Sequence, residues 1–308
     1  PAHADADFAS VMRSLAQDWP TQIRPLALGL LGILFSAEVW LTYTQMQLRA
    51  EGIHRFAGEM LRKLLVISLV AALFTFPALF IHPMLEAFRN VGAALNGGQQ
   101  YSPAEIGALG ATLGEILLVA WTEMMAEVLA GLSSTRSIGG FMAVLSWIFN
   151  QGLVSLTVVG FAVTGLQLAY WIAALQLLLI EIETIVLVAA GVFFVGFVSF
   201  RVTAGLVDAY LKHLITVGLK LFFVQFMVGV GMRLTEDSWS RTLAGAVIEP
   251  DGSAGLAEFP MIDIIAVGGV VINALIFAYL VWKIPTLYGD KLGAGIHTGI
   301  RSGMGGGG

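Results

Sequence analysis

Apolar residues in this chain come in runs long enough to cross a lipid bilayer, separated by short polar stretches. A hydrocarbon core of about 30 Å calls for roughly 20 apolar residues in a helix. The segments 26–48, 64–81, 152–180, 182–200, 214–232 and 262–282 meet or approach that length. Pro77 lies near one end of the second, where it kinks a helix without breaking its centre. The stretch 152–200 is nearly continuous apolar sequence, too long for one span. The pattern divides it at Glu181 and Glu183, carboxylates that favour an interface.

The segment 103–131 differs in kind. Ser102-Pro103-Ala104-Glu105 offers a capping side chain, a proline at the first helical position and a carboxylate at the third, a strong helix start. Beyond it Ile106, Leu109, Leu113, Ile116, Leu117, Trp121, Met124, Met125 and Val128 recur at helical spacing. Glu105, Thr112, Glu115, Thr122, Glu123 and Glu127 take the other side. The pattern is that of an amphipathic helix and not of a lipid-facing span. The fold class expected is all-α, a polytopic helical membrane protein with about six or seven membrane segments plus an amphipathic helix.

Composition agrees. Of 308 residues, 57% are apolar and 12% charged, about half the charge an average soluble domain carries. The mean hydropathy is +0.84. So little charge cannot coat a water-facing surface, and a disordered chain would be poor in apolar residues. The net charge of −5 gives no general nucleic-acid footprint. With no cysteine, disulfides, thiol nucleophiles and Cys-based metal sites are excluded.

Lys and Arg gather on the cytoplasmic side of membrane proteins. Arg49, Arg55, Arg62 and Lys63 in 49–63, and Lys283, Lys291 and Arg301 in 283–308, place both segments there. The 233–261 loop has Arg233 and Arg241 against Glu236, Asp237, Glu249, Asp251 and Glu258, and fits the outer side. The chain opens on Pro1 without Met, as after removal of a signal peptide or trimming; the first case puts the amino end outside. Counting forward from there places 82–102 outside, and counting back from the tail places 131–151 inside. The counts agree if the amphipathic helix crosses with its acidic face turned into the protein. A single span over 152–200 is the other solution. The expected organisation is an extracytoplasmic segment 1–25, a helical hairpin 26–81, a connecting region 82–151, a main core 152–282 and a Gly-rich cytoplasmic tail 283–308.

Ionisable groups inside spans cost about 2.5–3.5 kcal/mol each on insertion scales, so each needs a partner or water. Glu38 and Lys220 lie mid-span, and their opposite charges can pair between helices, as register-setting contacts or as the lining of a conduit. Asn273 and Gln225 read as interhelical hydrogen-bonding groups. Gly110 and Gly114 form a small-xxx-small contact, and Met124-Met125 reads as packing. His3, His54, His82, His213 and His297 are scattered without metal-site spacing, and no phosphate-binding loop or GxSxG elbow is present. No cofactor is expected.

The run Ala190-Gly191-Val192-Phe193-Phe194-Val195-Gly196-Phe197, followed by Arg201 and Thr203, resembles the central signature of the TrbL family, polytopic inner-membrane proteins of conjugative type IV secretion machines. The likeness continues through Tyr210, Lys220-Leu221-Phe222, Val228-Gly229-Val230-Gly231 and Lys283-Ile284-Pro285. Val198, Ser199 and Phe200 stand where family members tend to have a glycine pair, and Val202 where an aromatic follows the arginine. Read without the family, Gly191 and Gly196 among bulky residues allow close backbone approach, suited to helix or subunit packing around Phe193, Phe194 and Arg201.

The resemblance implies a non-enzymatic platform or channel subunit that assists pilus assembly and passage of single-stranded DNA, protein or both. It implies partners among the pilin, the minor pilin-like tip protein, cytoplasmic ATPases and envelope scaffold proteins. It also implies a homo-oligomeric ring, of which a pentamer is one form. The row Glu115, Glu123 and Glu127 then reads as a vestibule lining or a docking face. The segment 49–63 pairs its basic residues with only Phe56 and His54 and contains Glu51 and Glu59, which fits an orientation signal and a docking loop for ATPases better than a nucleic-acid groove. A secondary solute transporter is the alternative; it calls for inverted repeats that the chain does not show. A purely structural scaffold for the pilus base is a third reading.

Overall fold

The computed structural model describes residues 8–49, 52–134, 137–235, 239–245, 247–248 and 261–294. Those residues are helical apart from turns and one pair of two-residue strands. The order is α1 (Phe8–Leu48), α2 (Ile53–Thr75), α3 (Pro77–Ala94), α4 (Pro103–Ser134), α5 (Ile138–Trp147), a π turn (Ile148–Gly152), α6 (Leu153–Phe194), a 3-10 turn (Val195–Ser199), α7 (Ala204–Leu234), α8 (Ser240–Ala244), β1 (Val247–Ile248), β2 (Met261–Ile262) and α9 (Ile264–Ala294). The strands pair antiparallel, Val247 with Ile262 and Ile248 with Met261. Helices long and apolar enough to cross a membrane lie at Thr21–Leu48, Pro103–Gly131, Ile138–Ser199, Ala204–Leu234 and Ile264–Gly289; α2 and α3 together form a bent sixth candidate. The chain is thus an all-helical, multi-pass membrane protein.

Local chemistry accounts for the helix ends. The capping box at α4 forms: the Ser102 N–H donates to Glu105 Oε2 (2.7 Å) and the Glu105 N–H donates to Ser102 Oγ (3.2 Å). Asp263 caps α9, its Oδ1 accepting the N–H groups of Ile265 (3.0 Å) and Ala266 (2.9 Å). Most of 236–260, including the acidic residues expected of an outer loop, and the tail 295–308 lie outside the described residues.

Several boundaries differ from those the sequence predicts. Pro77 does not merely kink a continuous helix near its end; the helix breaks before it. Its ring disfavours the α region for the residue before it, and Phe76 is non-helical at φ −119° and ψ 61°. The helix therefore stops at Thr75 and restarts with Pro77 in the first helical position, bent by 65°. The basic segment 49–63 is not a loop either: α2 begins at Ile53 and carries Arg55, Arg62 and Lys63. Nor is 152–200 divided at Glu181 and Glu183. Helix α6 runs unbroken through both for 42 residues, about 63 Å at 1.5 Å per residue. The reason is that both carboxylates have cationic partners, so neither has to reach water.

The described residues fall into two compact units, one drawn from 1–94, 178–223 and 284–308, the other from 95–177 and 224–283. The second unit is organised around Tyr170 on α6, fully buried. Its hydroxyl bonds the Thr235 hydroxyl, and its ring lies 5.9 Å from that of Phe277 and 6.5 Å from that of Trp239. Gly110 on α4 makes room for it, since a Cβ there would lie 2.7 Å from the Tyr170 Cβ.

The α3–α4 loop also packs in this unit. Gly97 (φ 86°) and Gly98 (φ 85°) turn it through left-handed backbone. Asn96 Nδ2 donates to the carbonyls of Phe226 (2.9 Å) and Gln225 (3.3 Å) on α7. Gln225 answers Tyr101 from both ends of its amide, accepting the Tyr101 N–H (3.4 Å) and donating to the Tyr101 carbonyl (3.3 Å). Non-helical backbone in a membrane protein needs such partners. Gln225→Leu removes both bonds to Tyr101 and is therefore expected to cost about 1–3 kcal/mol. A lower thermal midpoint and faster hydrogen exchange confined to 95–102 would register the loss.

Candidate functional site

The first unit holds its charges in two groups. In the first, Glu38 on α1 is completely buried, and so is Lys63 on α2 at 6% exposure. Lys63 Nζ lies 2.6 Å from Glu38 Oε1 and donates to Thr42 Oγ1 at 2.8 Å. Thr42 in turn donates to the Glu38 carbonyl at 2.8 Å, as a helical threonine does when it bonds back one turn. The second carboxylate oxygen of Glu38 accepts the Arg201 N–H (3.3 Å), and Arg201 Nη1 donates to Gln45 Oε1 (2.9 Å).

Arg201 belongs to the elbow that joins α6 to α7. Leaving the helix at Phe194 frees backbone groups that must find partners away from water. Ser199 Oγ donates to the Leu31 carbonyl on α1 (3.2 Å), and Thr203 Oγ1 donates to the carbonyls of Phe197 (2.8 Å) and Phe200 (3.1 Å). Gly196 lies against α1, where a Cβ would come within 2.8 Å of Leu30. Helix α1 thus clamps the elbow along its length.

Above the elbow the aromatic signature packs on α7. Tyr210 donates its hydroxyl to the Leu187 carbonyl at 2.5 Å. Gly191 allows this, because a Cβ there would lie 2.6 Å from that hydroxyl oxygen. The Tyr210 ring lies 4.6 Å from Phe194 and 5.1 Å, edge to face, from Phe74 on α2. Phe193, next along, is exposed and packs edge to face with Phe197 at 5.2 Å.

The second charged group neutralises the carboxylates of α6. Arg89 on α3 pairs with Glu181 (3.1 Å), while Glu183 Oε1 takes both Lys220 (3.3 Å) and His213 (3.4 Å) from α7. Lys212 pairs with Asp208 one turn earlier at 3.0 Å. Arg89 Nε is buried without a hydrogen-bond partner among the described residues.

Glu38 and Lys220 are therefore not partners: Glu38 is answered by Lys63 and Lys220 by Glu183. Lys63, Thr42, Gln45 and Arg89 escape a reading based on mid-span position. One signal points to Lys63. Glu38 stands ten residues before the end of α1 and Lys63 ten after the start of α2, so an antiparallel hairpin sets them level. Asn273 is exposed on α9. Glu115, Glu123 and Glu127 are exposed on α4, whose opposite face buries Ile106, Leu113, Leu117, Met124 and Val128. Among the described residues no three His, Cys, Asp or Glu side chains come together as metal ligands.

Charges paired with charges, hydroxyls bonded back to their own helices and an elbow clamped by a neighbouring helix define a polytopic membrane protein whose buried polar groups are answered by its own helices. The sequence matches the TrbL/VirB6 plasmid conjugal transfer protein family over residues 37–284, most of its length and the region holding both charged groups. The chain belongs to that family and is a multi-pass membrane component of a conjugal transfer, or type IV secretion, apparatus. No curated protein sequence matches it.

Removing one partner of a buried ion pair leaves a bare charge, at a cost of about 3–5 kcal/mol, whereas replacing both by apolar residues is often neutral. Lys63→Met is expected to show that loss as a depressed thermal midpoint in detergent, and Glu38→Met with Lys63→Met to recover most of it. Lys220→Met is expected to cost only about 0–1 kcal/mol, because its partner is part-exposed and retains His213.

Proposed function

We propose that this chain is a platform subunit of the inner membrane, assembling as a ring of identical copies whose acidic α4 faces line a hydrated vestibule or dock another subunit. It serves pilus assembly and the passage of DNA or protein, beside a minor pilin-like tip protein and cytoplasmic ATPases. The observation that carries this is the row Glu115, Glu123 and Glu127. All three are exposed, with no ion pair or hydrogen bond among the described residues, on a helix whose other face is packed. Carboxylates on such a helix need water or basic partners, and a ring of copies supplies a place for either.

The unbroken α6 supports a topology of five crossings: α1, the bent pair α2–α3, α6, α7 and α9. The amino end is outside, the carboxyl end is cytoplasmic, and α4 stays on the outer side without crossing. The same arrangement keeps Arg49, Arg55, Arg201, Lys283 and Lys291 on the cytoplasmic side, as the distribution of Lys and Arg requires. It also moves 131–151 from the cytoplasmic to the outer side.

Because the chain has no cysteine, single introduced thiols report sidedness without background. Gln100→Cys and Glu123→Cys are expected to react with an impermeant maleimide in intact spheroplasts. Val202→Cys and Lys291→Cys should react only after permeabilisation; protection of Glu123→Cys would remove α4 from the outer side. Glu115, Glu123 and Glu127 changed together to Gln should sharply lower transfer or the yield of the assembled machine. Wild-type transfer and yield in that variant would end the vestibule reading.

A further inference from the structure

We infer that two faces of the first unit meet between neighbouring copies of the chain: the exposed ridge of α3 in one copy seats in a groove between α6 and α7 of the next, with Glu86 against His213. The contact rests on the ring of copies proposed above and supplies an interface for it. The groove has a volume of about 420 Å³. Val186, Ala190, Phe194, Leu206 and Ala209 line it, and Glu183 and His213 stand at its polar end. His213 is about half-exposed and pairs with Glu183 through Nε2, which leaves Nδ1 for a second partner. His213 follows Arg201 by 12 residues, at most about 18 Å on a helical rise. With Arg201 at the cytoplasmic interface, that lies inside a hydrocarbon layer of about 30 Å. An open imidazole and a part-exposed carboxylate at such a depth need a partner or water, and the apolar trough beside them does not favour water.

Helix α3 carries the complementary charge. Ile81 and Leu85 are buried, whereas Leu79, His82 and Glu86 are exposed. Neither His82 nor Glu86 has an ion pair or hydrogen bond among the described residues. Two contacts set the level of α3 against α7. The Phe74 ring lies 5.1 Å from that of Tyr210, and a Cβ on Gly218 would come within 2.5 Å of Phe88. The two helices therefore run the same way. Glu86 stands two residues before Phe88 and His213 five before Gly218, which puts them within about 5 Å of one level. Gly218 points about 140° away from His213 round α7, and about 180° from Ala209, so α3 and the groove occupy different sides of that helix.

The spacing agrees. Leu79 precedes Glu86 by seven residues, and Leu206 precedes His213 by seven, about 10.5 Å on each helix. Rotation about an axis normal to the membrane keeps every residue at its own depth, so a ring joins only faces that are level. A contact between two different faces is heterologous, the kind that closes into rings. Seated in this way, Leu79 enters the trough near Leu206 and Glu86 reaches His213. Lys220 already answers Glu183, so two carboxylates then face one ammonium and one imidazolium.

The test uses the full chain, which has no cysteine of its own, oxidised in its own membranes and run on a non-reducing gel. Leu79→Cys combined with Leu206→Cys is expected to give a ladder of linked copies, whereas either substitution alone should stay monomeric. Val91→Cys with Leu206→Cys, about 18 Å out of register along α3, should give no ladder. All three positions are exposed, so these variants leave the core undisturbed. Glu86→Gln should lower the oligomeric fraction in native mass spectrometry roughly tenfold, the effect of about 1.4 kcal/mol of association. An oligomer that forms without the Leu79–Leu206 ladder would overturn this contact and leave the ring standing. Linked dimers of Leu79→Cys alone would replace it with a two-fold contact. Ready labelling of Glu86→Cys by an impermeant maleimide in the assembled oligomer would make the face a water-lined passage and overturn the contact. A chain that stays monomeric and gives no ladder removes ring and contact together.

Discussion

The ion pair between Glu38 and Lys63 is the constraint on which the first unit depends. A carboxylate with no exposure cannot be left alone in a low-dielectric interior, so the presence of Glu38 obliges α2 to deliver a cation at that depth. Delivery fixes the register of the α1–α2 hairpin: sliding α2 by one turn would carry Lys63 about 5.4 Å from its partner. The carboxylate also reaches beyond the hairpin. Its second oxygen holds the Arg201 amide, so one buried charge positions both a helix pair and the elbow linking α6 to α7. Ser199 on Leu31 and Gly196 on Leu30 extend the same seam. The Gly-Val-Phe-Phe block then packs on α7 from an elbow whose position α1 has already set.

What could be read from the sequence was whatever depends on near neighbours. The α4 capping box needs only residues three apart, and it forms as the spacing predicts. The apolar runs reveal the long helices because hydrocarbon length is a property of one segment. Errors arise where a decision rests on a distant partner. Dividing 152–200 at Glu181 and Glu183 treats carboxylates as groups that only water can satisfy; Arg89 lies 92 residues away from Glu181, and Lys220 37 from Glu183. Reading 49–63 as a solvated basic loop counts Lys63 as an orientation charge, when its ammonium is the buried partner of Glu38. Of the site, Gly191, Phe194 and Arg201 come forward through their motif. Tyr210 belongs to the same likeness, but its contacts with Gly191 and Phe194, like that of Gln45 with Arg201, emerge only from packing, because no periodicity links residues on different helices.

The carboxylates of this chain divide by what answers them. Glu38, Glu181 and Glu183 each meet a cation from another helix, and those pairs consume their charge in fixing helix positions. Glu105 is used in a cap. Glu115, Glu123 and Glu127 have no such use, although α4 has an apolar face that would have packed as well with neutral residues opposite. Three exposed charges on one helix do not stabilise the isolated chain; like charges along a helix repel weakly, and their hydration resists burial in lipid. On the function proposed above, their place in the sequence is understood from outside the chain, in the water or the basic surface that a machine of many subunits would set against them.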